Sequence, residues 1–163
     1  MIGYPTTSAP GQWVLLCYRL PREPSTPRIA VWRKLKRLGV AQLGDGLVAL
    51  PADARTREHL EWVADEVTEA GGTASVWLAL PASRRQERDL AHQMATARAA
   101  EYAAIAAHAA AADDAPSSLG LLRRLRAEFA RVTRRDFFPP TERGAARAAL
   151  DDLATETRAE VAT

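Results

Sequence analysis

The sequence predicts an α+β fold, in which a β-α-β-β-α-β unit over residues 12–81 precedes a helical region of about three helices over residues 84–160. Three observations carry this expectation. Strand-forming runs alternate with amphipathic helical segments as far as Pro81, and beyond Arg84 apolar residues recur only at helical spacing. Gly and Pro mark the boundaries, at Pro21, Gly39, Pro51, Gly71-Gly72 and Pro81. A chain of 163 residues suits one domain, or one domain with an appendage, and is long enough to bury a real core.

The elements follow in order. Gln12 to Leu20 is a continuous apolar run rich in strand formers and reads as a central strand ended by Pro21. Pro21 to Pro27 is a loop. A helix then starts with Ser25 or Thr26 as N-cap and Pro27 at the first helical position, and Gly39 closes it as a left-handed C-cap. On this helix Val31, Trp32, Leu35 and Leu38 share one arc, expected to pack, while Arg33, Lys34, Lys36 and Arg37 fill most of the other. Val40 to Leu43 and Leu47 to Leu50 flank Gly44-Asp45-Gly46 as a hairpin, with Asp45 in a turn-forming role. Asp53 or Thr56 caps a helix running to Gly71-Gly72, with Leu60, Val63, Ala64 and Val67 inward and Glu58, Glu61, Asp65, Glu66 and Glu69 outward. Thr73 to Leu80 alternates as a half-buried strand. This order is the ferredoxin-like arrangement.

In the helical region Ser83 can cap an alanine-rich helix running to about Ala112, before the break Asp113-Asp114-Ala115-Pro116. Ser117 or Ser118 starts the next, where Leu122, Leu125, Phe129 and Val132 form a bundle-type seam. Asp136-Phe-Phe-Pro-Pro140 separates it from a last helix, Thr141 to about Glu160.

Twenty-two Lys and Arg against 20 Asp and Glu give a net charge of only +2, so local clusters matter more than the total. Residues 28 to 38 hold Arg28, Arg33, Lys34, Lys36 and Arg37 and no acid. The second cluster is Arg123, Arg124, Arg126, Arg131, Arg134 and Arg135, with Glu128 the one acid between Leu119 and Arg135. Uncompensated cations on two helices suit contact with nucleic-acid phosphates. A solvated outer face, a small oxyanion or an acidic protein surface are the competing readings. Tyr18, Trp32, Phe137 and Phe138 could supply stacking, although packing in the core accounts for them equally well.

Catalysis needs a nucleophile near a base, paired carboxylates or convergent metal ligands, and no such set is legible. His59, His92 and His108 lack mutual metal-ligand spacing. Gly44-x-Gly46 and Gly71-Gly72 fit a turn and a helix stop, not a phosphate-cradling loop. Arg19 stands where a metal-binding carboxylate would be expected at the end of a first strand, which argues against a metal-dependent nuclease. The expectation is therefore a protein that is not an enzyme, with no cofactor and no metal. Cys17, the single cysteine, cannot form an internal disulfide and is expected to be a buried, inert thiol. Met1 to Gly11 lacks the pattern of a signal peptide, and Ala95 to Ala112 is too weakly apolar and too charged to span a membrane. A cytoplasmic protein without a membrane partner is expected.

Trp13-Val-Leu-Leu-Cys-Tyr-Arg-Leu-Pro21, the run from Pro27 to Pro51, and Leu60-Glu-Trp through Gly71-Gly72 to Val76-Trp77 resemble the N-terminal domain of the ChrB-type chromate-resistance regulatory proteins. Phe129-x-Arg131 and Asp136-Phe-Phe-Pro139 are similar to that domain's closing helices. A looser similarity of residues 28–51 to the middle domain of PaaX-type repressors agrees with the ferredoxin-like reading. The resemblance implies a transcriptional regulator that binds promoter DNA and answers to chromate as effector, and a homodimer is the expected assembly. It also implies a second domain following this one, whereas the sequence stops at Thr163, so sensing would be absent here or come from another chain. The alternative, of a different class, is a non-catalytic interaction or dimerisation module with arginine-rich surfaces.

Overall fold

A computed structural model describes residues 11–112 and 118–162 of the chain. The elements are β1 (Trp13–Arg19), α1 (Thr26–Leu38), β2 (Ala41–Gly44), β3 (Leu47–Pro51), α2 (Ala54–Glu69), β4 (Thr73–Ala79), α3 (Arg84–Ala110), α4 (Ser118–Arg134) and α5 (Glu142–Val161). The α+β class and the β-α-β-β-α-β order agree with the sequence reading. Met1 to Pro10, the break at Asp113 to Pro116 and the alternative cap Ser117 lie outside the described residues. The chain divides into two compact units, Met1–Ala91 and His92–Thr163, so the division falls within α3.

In the first unit four antiparallel strands are ordered β2-β3-β1-β4, with β1 in the interior of the sheet. Strand alternation sends Val14 and Leu16 of β1, and Val48 and Leu50 opposite them on β3, to one face. All four are buried, as are Val31 and Leu35 of α1 and Leu60, Val63 and Val67 of α2. Each such side chain contributes about 1.5–3 kcal/mol when withdrawn from water, which is what holds the two helices to the sheet. Asp53 begins α2 through a reciprocal cap, accepting from the Thr56 amide at 2.7 Å while its own amide donates to Thr56 Oγ1 at 3.0 Å. Gly39 ends α1 at φ 79° and donates to the carbonyl of Lys36.

Three expectations are corrected. Trp32 is 49% exposed, because α1 buries only the narrow stripe of Val31 and Leu35, and a residue one position along the helix falls on its rim. Cys17 is exposed, because it lies at an odd position of β1, paired with Leu47 and Ser75, on the face turned away from α1 and α2. An apolar run in sequence does not require that both faces of its strand be covered. Ser25 is the N-cap residue of α1 but makes no side-chain capping bond, since its backbone at φ −77° and ψ −17° is already helical.

In the second unit the seam on α4 is real. Leu122, Leu125 and Val132 are buried together with Tyr102, Ile105 and Ala109 of α3 and Ala146, Leu150 and Leu153 of α5, with Phe129 partly buried against them. Ser83 caps α3, its Oγ accepting from the Gln86 amide at 3.1 Å.

Candidate nucleic-acid interface

The cations of α1 are displayed because the stripe that packs it inward leaves the rest of the helix in water. Arg28, Arg33, Lys36 and Arg37 are exposed. Lys34 is not equivalent to them: it is paired with Glu66 of the neighbouring α2. Both side chains of that pair are about two-fifths exposed, so it is worth about 1 kcal/mol or less. Lys36 Nζ stands 4.3 Å from the centre of the Trp32 ring, a cation–π contact within the same helix.

The α4 cluster is simpler. Arg123, Arg124, Arg126, Arg131 and Arg134 are exposed, and none makes an ion pair among the described residues. They lie off the seam formed by Leu122, Leu125 and Val132, so solvent exposure costs no packing.

Arg135, just past the end of α4, belongs elsewhere. Its Nη2 donates to Glu101 Oε1 of α3 at 2.5 Å, and Glu101 Oε2 lies 2.9 Å from Arg98 Nε. Beside them Tyr102 Oη donates to Asp136 Oδ2 at 2.8 Å, and Arg143 of α5 approaches the same oxygen at 3.9 Å. The Asp136 side chain is fully buried. Burial pulls the Arg98 guanidinium below its ordinary value, with Glu101 opposing the shift, and burial pushes the Tyr102 phenol above its own. These contacts fasten the end of α4 to α3 and α5, although Arg98 Nε, Glu101 Oε2, Arg135 Nε and Asp136 Oδ1 are buried without a hydrogen-bond partner among the described residues. The i, i+3 spacing of Arg98 and Glu101 was visible in the sequence, but Arg135 reaches them from 34 residues away, and no local pattern reveals that pairing.

A cleft of about 880 Å³ opens where the end of β1, the loop after it, the start of α1 and the β2–β3 turn meet. Tyr18, Arg19, Arg22, Arg28, Trp32 and Asp45 are among its lining residues. The turn is drawn against β1 by a bond from the Tyr18 amide to the Gly46 carbonyl at 2.8 Å. Gly46 has φ +72°, and a Cβ there would lie 2.3 Å from the Tyr18 carbonyl oxygen, so glycine is required twice over. Of this group the sequence points to Arg28 as a phosphate contact and to Tyr18 and Trp32 as stacking candidates, but not to Arg19 and Arg22, which line the same cleft. Among the described residues no three His, Cys, Asp or Glu side chains cluster as metal ligands.

The sequence model of the family "Protein ChrB, N-terminal" matches residues 28–115, more than half of the chain. The chain belongs to the ChrB N-terminal family. It is similar to the Protein ChrB of Cupriavidus metallidurans, at 31% identity over 91 residues, covering 56% of this chain and 28% of that protein. The chain thus matches less than a third of the length of that relative. Among solved structures it resembles the uncharacterized protein Rv0674 from Mycobacterium tuberculosis, with a TM-score of 0.57 over 90% of this chain and 60% of the other. At 18% identity that likeness speaks to the fold alone. The matched segment runs from Arg28 within α1 through α3 and leaves α4 and α5 outside it.

Proposed function

We propose that this ChrB-family protein is a DNA-binding regulatory domain of the chromate-resistance type, which binds promoter DNA and acts by binding rather than by catalysis. The carrying observation is the set of exposed cations on α1 (Arg28, Arg33, Lys36, Arg37) and α4 (Arg123, Arg124, Arg126, Arg131, Arg134). Phosphate contacts of this kind give affinity without sequence information, so promoter choice rests on other contacts. Lys34 and Arg135 drop out of the phosphate-binding set, because each already has a carboxylate partner. Among the described residues no helix is long and apolar enough to cross a membrane. A homodimer with chromate as effector completes the reading.

The test is a gel-shift series with DNA from upstream of the protein's own gene, at two salt concentrations, with and without chromate. The proposal expects a shift at low salt that weakens steeply as salt rises, and release of the promoter by chromate. Failure to shift either promoter or random duplex at low salt would overturn it.

The second reading, a protein-interaction module, draws on the sheet face turned away from α1 and α2. There Trp77 is 60% exposed, on the strand next to the exposed Cys17. It expects concentration-dependent self-association that Trp77→Ser abolishes, with no DNA binding.

A further inference from the structure

The cleft of the first unit is built for something other than a duplex backbone. Its volume of about 880 Å³ lies in the range of pockets that enclose whole small molecules, roughly 300–1,000 Å³. Arg19, Arg22 and Arg28 are among its lining residues, against Asp45 as the one acid among the described residues there. Guanidinium groups are the side chains best matched to phosphate, through paired N–H donors. The Tyr18 phenol is half-buried there, and burial pushes its pKa up, so it stays a neutral donor. Trp32 lines the same space with about half its surface open.

A bare tetrahedral oxyanion would use the arginines and leave the aromatic and aliphatic wall of Trp32 and Ile29 uncovered. A neutral aromatic molecule would cover that wall and leave the guanidinium groups without a counter-charge. The ligand that uses both carries a planar ring and a phosphate. Gln42 and Asp45, with an amide and a carboxylate on the hairpin side, add the mixed donors and acceptors that a base edge or a ribose needs.

We propose that this cleft binds a free mononucleotide, with its base stacked against Trp32 and its phosphate held by Arg22 and Arg28. The site shares Arg28 with the α1 cations, while Trp32 and Arg22 belong to neither phosphate-contacting set, so Trp32→Ala separates nucleotide binding from DNA binding. The rim position of Trp32 on α1 leaves its ring open to such a ligand, with Lys36 beside it.

Isothermal titration of the full 163-residue chain with AMP tests this, with adenosine and inorganic phosphate as the two halves of the ligand. AMP should bind at least tenfold more tightly than either half. Trp32→Ala should weaken AMP binding by about tenfold, within the range for loss of one base–aromatic stack. Arg28→Ala should weaken it at least as much while leaving adenosine binding unchanged, and Arg124→Ala on α4 should leave AMP binding intact. Both cleft side chains are exposed, and circular dichroism of each variant verifies the fold. The proposal is overturned if AMP does not bind, if phosphate alone binds as tightly as AMP, or if AMP affinity survives both cleft substitutions.

Discussion

In α1 two of the cations are engaged within the first unit, Lys34 with Glu66 of α2 and Lys36 over the ring of Trp32, and Arg28 lines a cleft. In α4 five arginines stand in water with no acid paired to them among the described residues. The reason lies in what each helix packs against. α1 runs beside α2, whose outward side is acidic, so part of its charge is met inside the fold. α4 turns its seam toward alanine, leucine and isoleucine of α3 and α5, and among the described residues its outward arginines make no ion pair. Similar sequence charge therefore leaves different amounts available to a partner. The family match deepens the contrast, since it takes in α1 from Arg28 onward and stops short of α4.

The inner faces should give the largest effects. Leu35→Ala in α1 and Leu125→Ala in α4 should each cost about 2–5 kcal/mol in chemical denaturation, as truncations of fully packed leucines. Trp32→Ala should cost about 1 kcal/mol or less, since the ring is on the rim. A loss at Trp32 equal to that at Leu35 would return it to the core and erase the distinction between the two faces of α1.

The outer faces are separated by the salt dependence of DNA binding. If each side chain contacts one phosphate, Arg33→Ala with Arg37→Ala should flatten the log–log slope by about 1.8, at about 0.9 per contact, and Arg123→Ala with Arg124→Ala should do the same. Lys34→Ala should change it by less than one contact. Flattening by the α1 pair alone would confine the interface to the family-matched segment.

Two smaller effects probe the end of α4. Arg135→Ala should lower stability by about 1–2 kcal/mol by leaving Glu101 with Arg98 as its one cation, a discounted figure because the pair retains some solvent access. Arg134→Ala, one residue earlier and exposed, should stay within about 0.5 kcal/mol. Tyr102→Phe should cost about 1 kcal/mol at neutral pH through the lost bond to Asp136. The Tyr102 phenol is raised above its ordinary value of 10.0 in the folded state, so the stability it adds is complete below that pH. It is lost as pH climbs through the folded value, because the unfolded chain releases its proton first. Alkaline unfolding of Tyr102→Phe should accordingly lose part of that pH dependence.

The order of elements, the left-handed stop at Gly39, the cap at Asp53 and the seam on α4 were all legible in the sequence, because each depends on residues within a few positions of one another. Periodicity, capping and turn chemistry are local, and they specify which segments become helices and strands and which residues of α4 face inward. The same locality made both basic clusters visible. Tertiary structure decided how wide each buried stripe is and what lies across from it. It put Trp32 on a rim, opened one face of β1 at Cys17, joined Lys34 to Glu66 and Arg135 to Glu101, and gathered Arg19, Arg22 and Arg28 around one cleft. Those outcomes depend on which elements neighbour one another in space, and the separation of their residues along the chain carries no record of it.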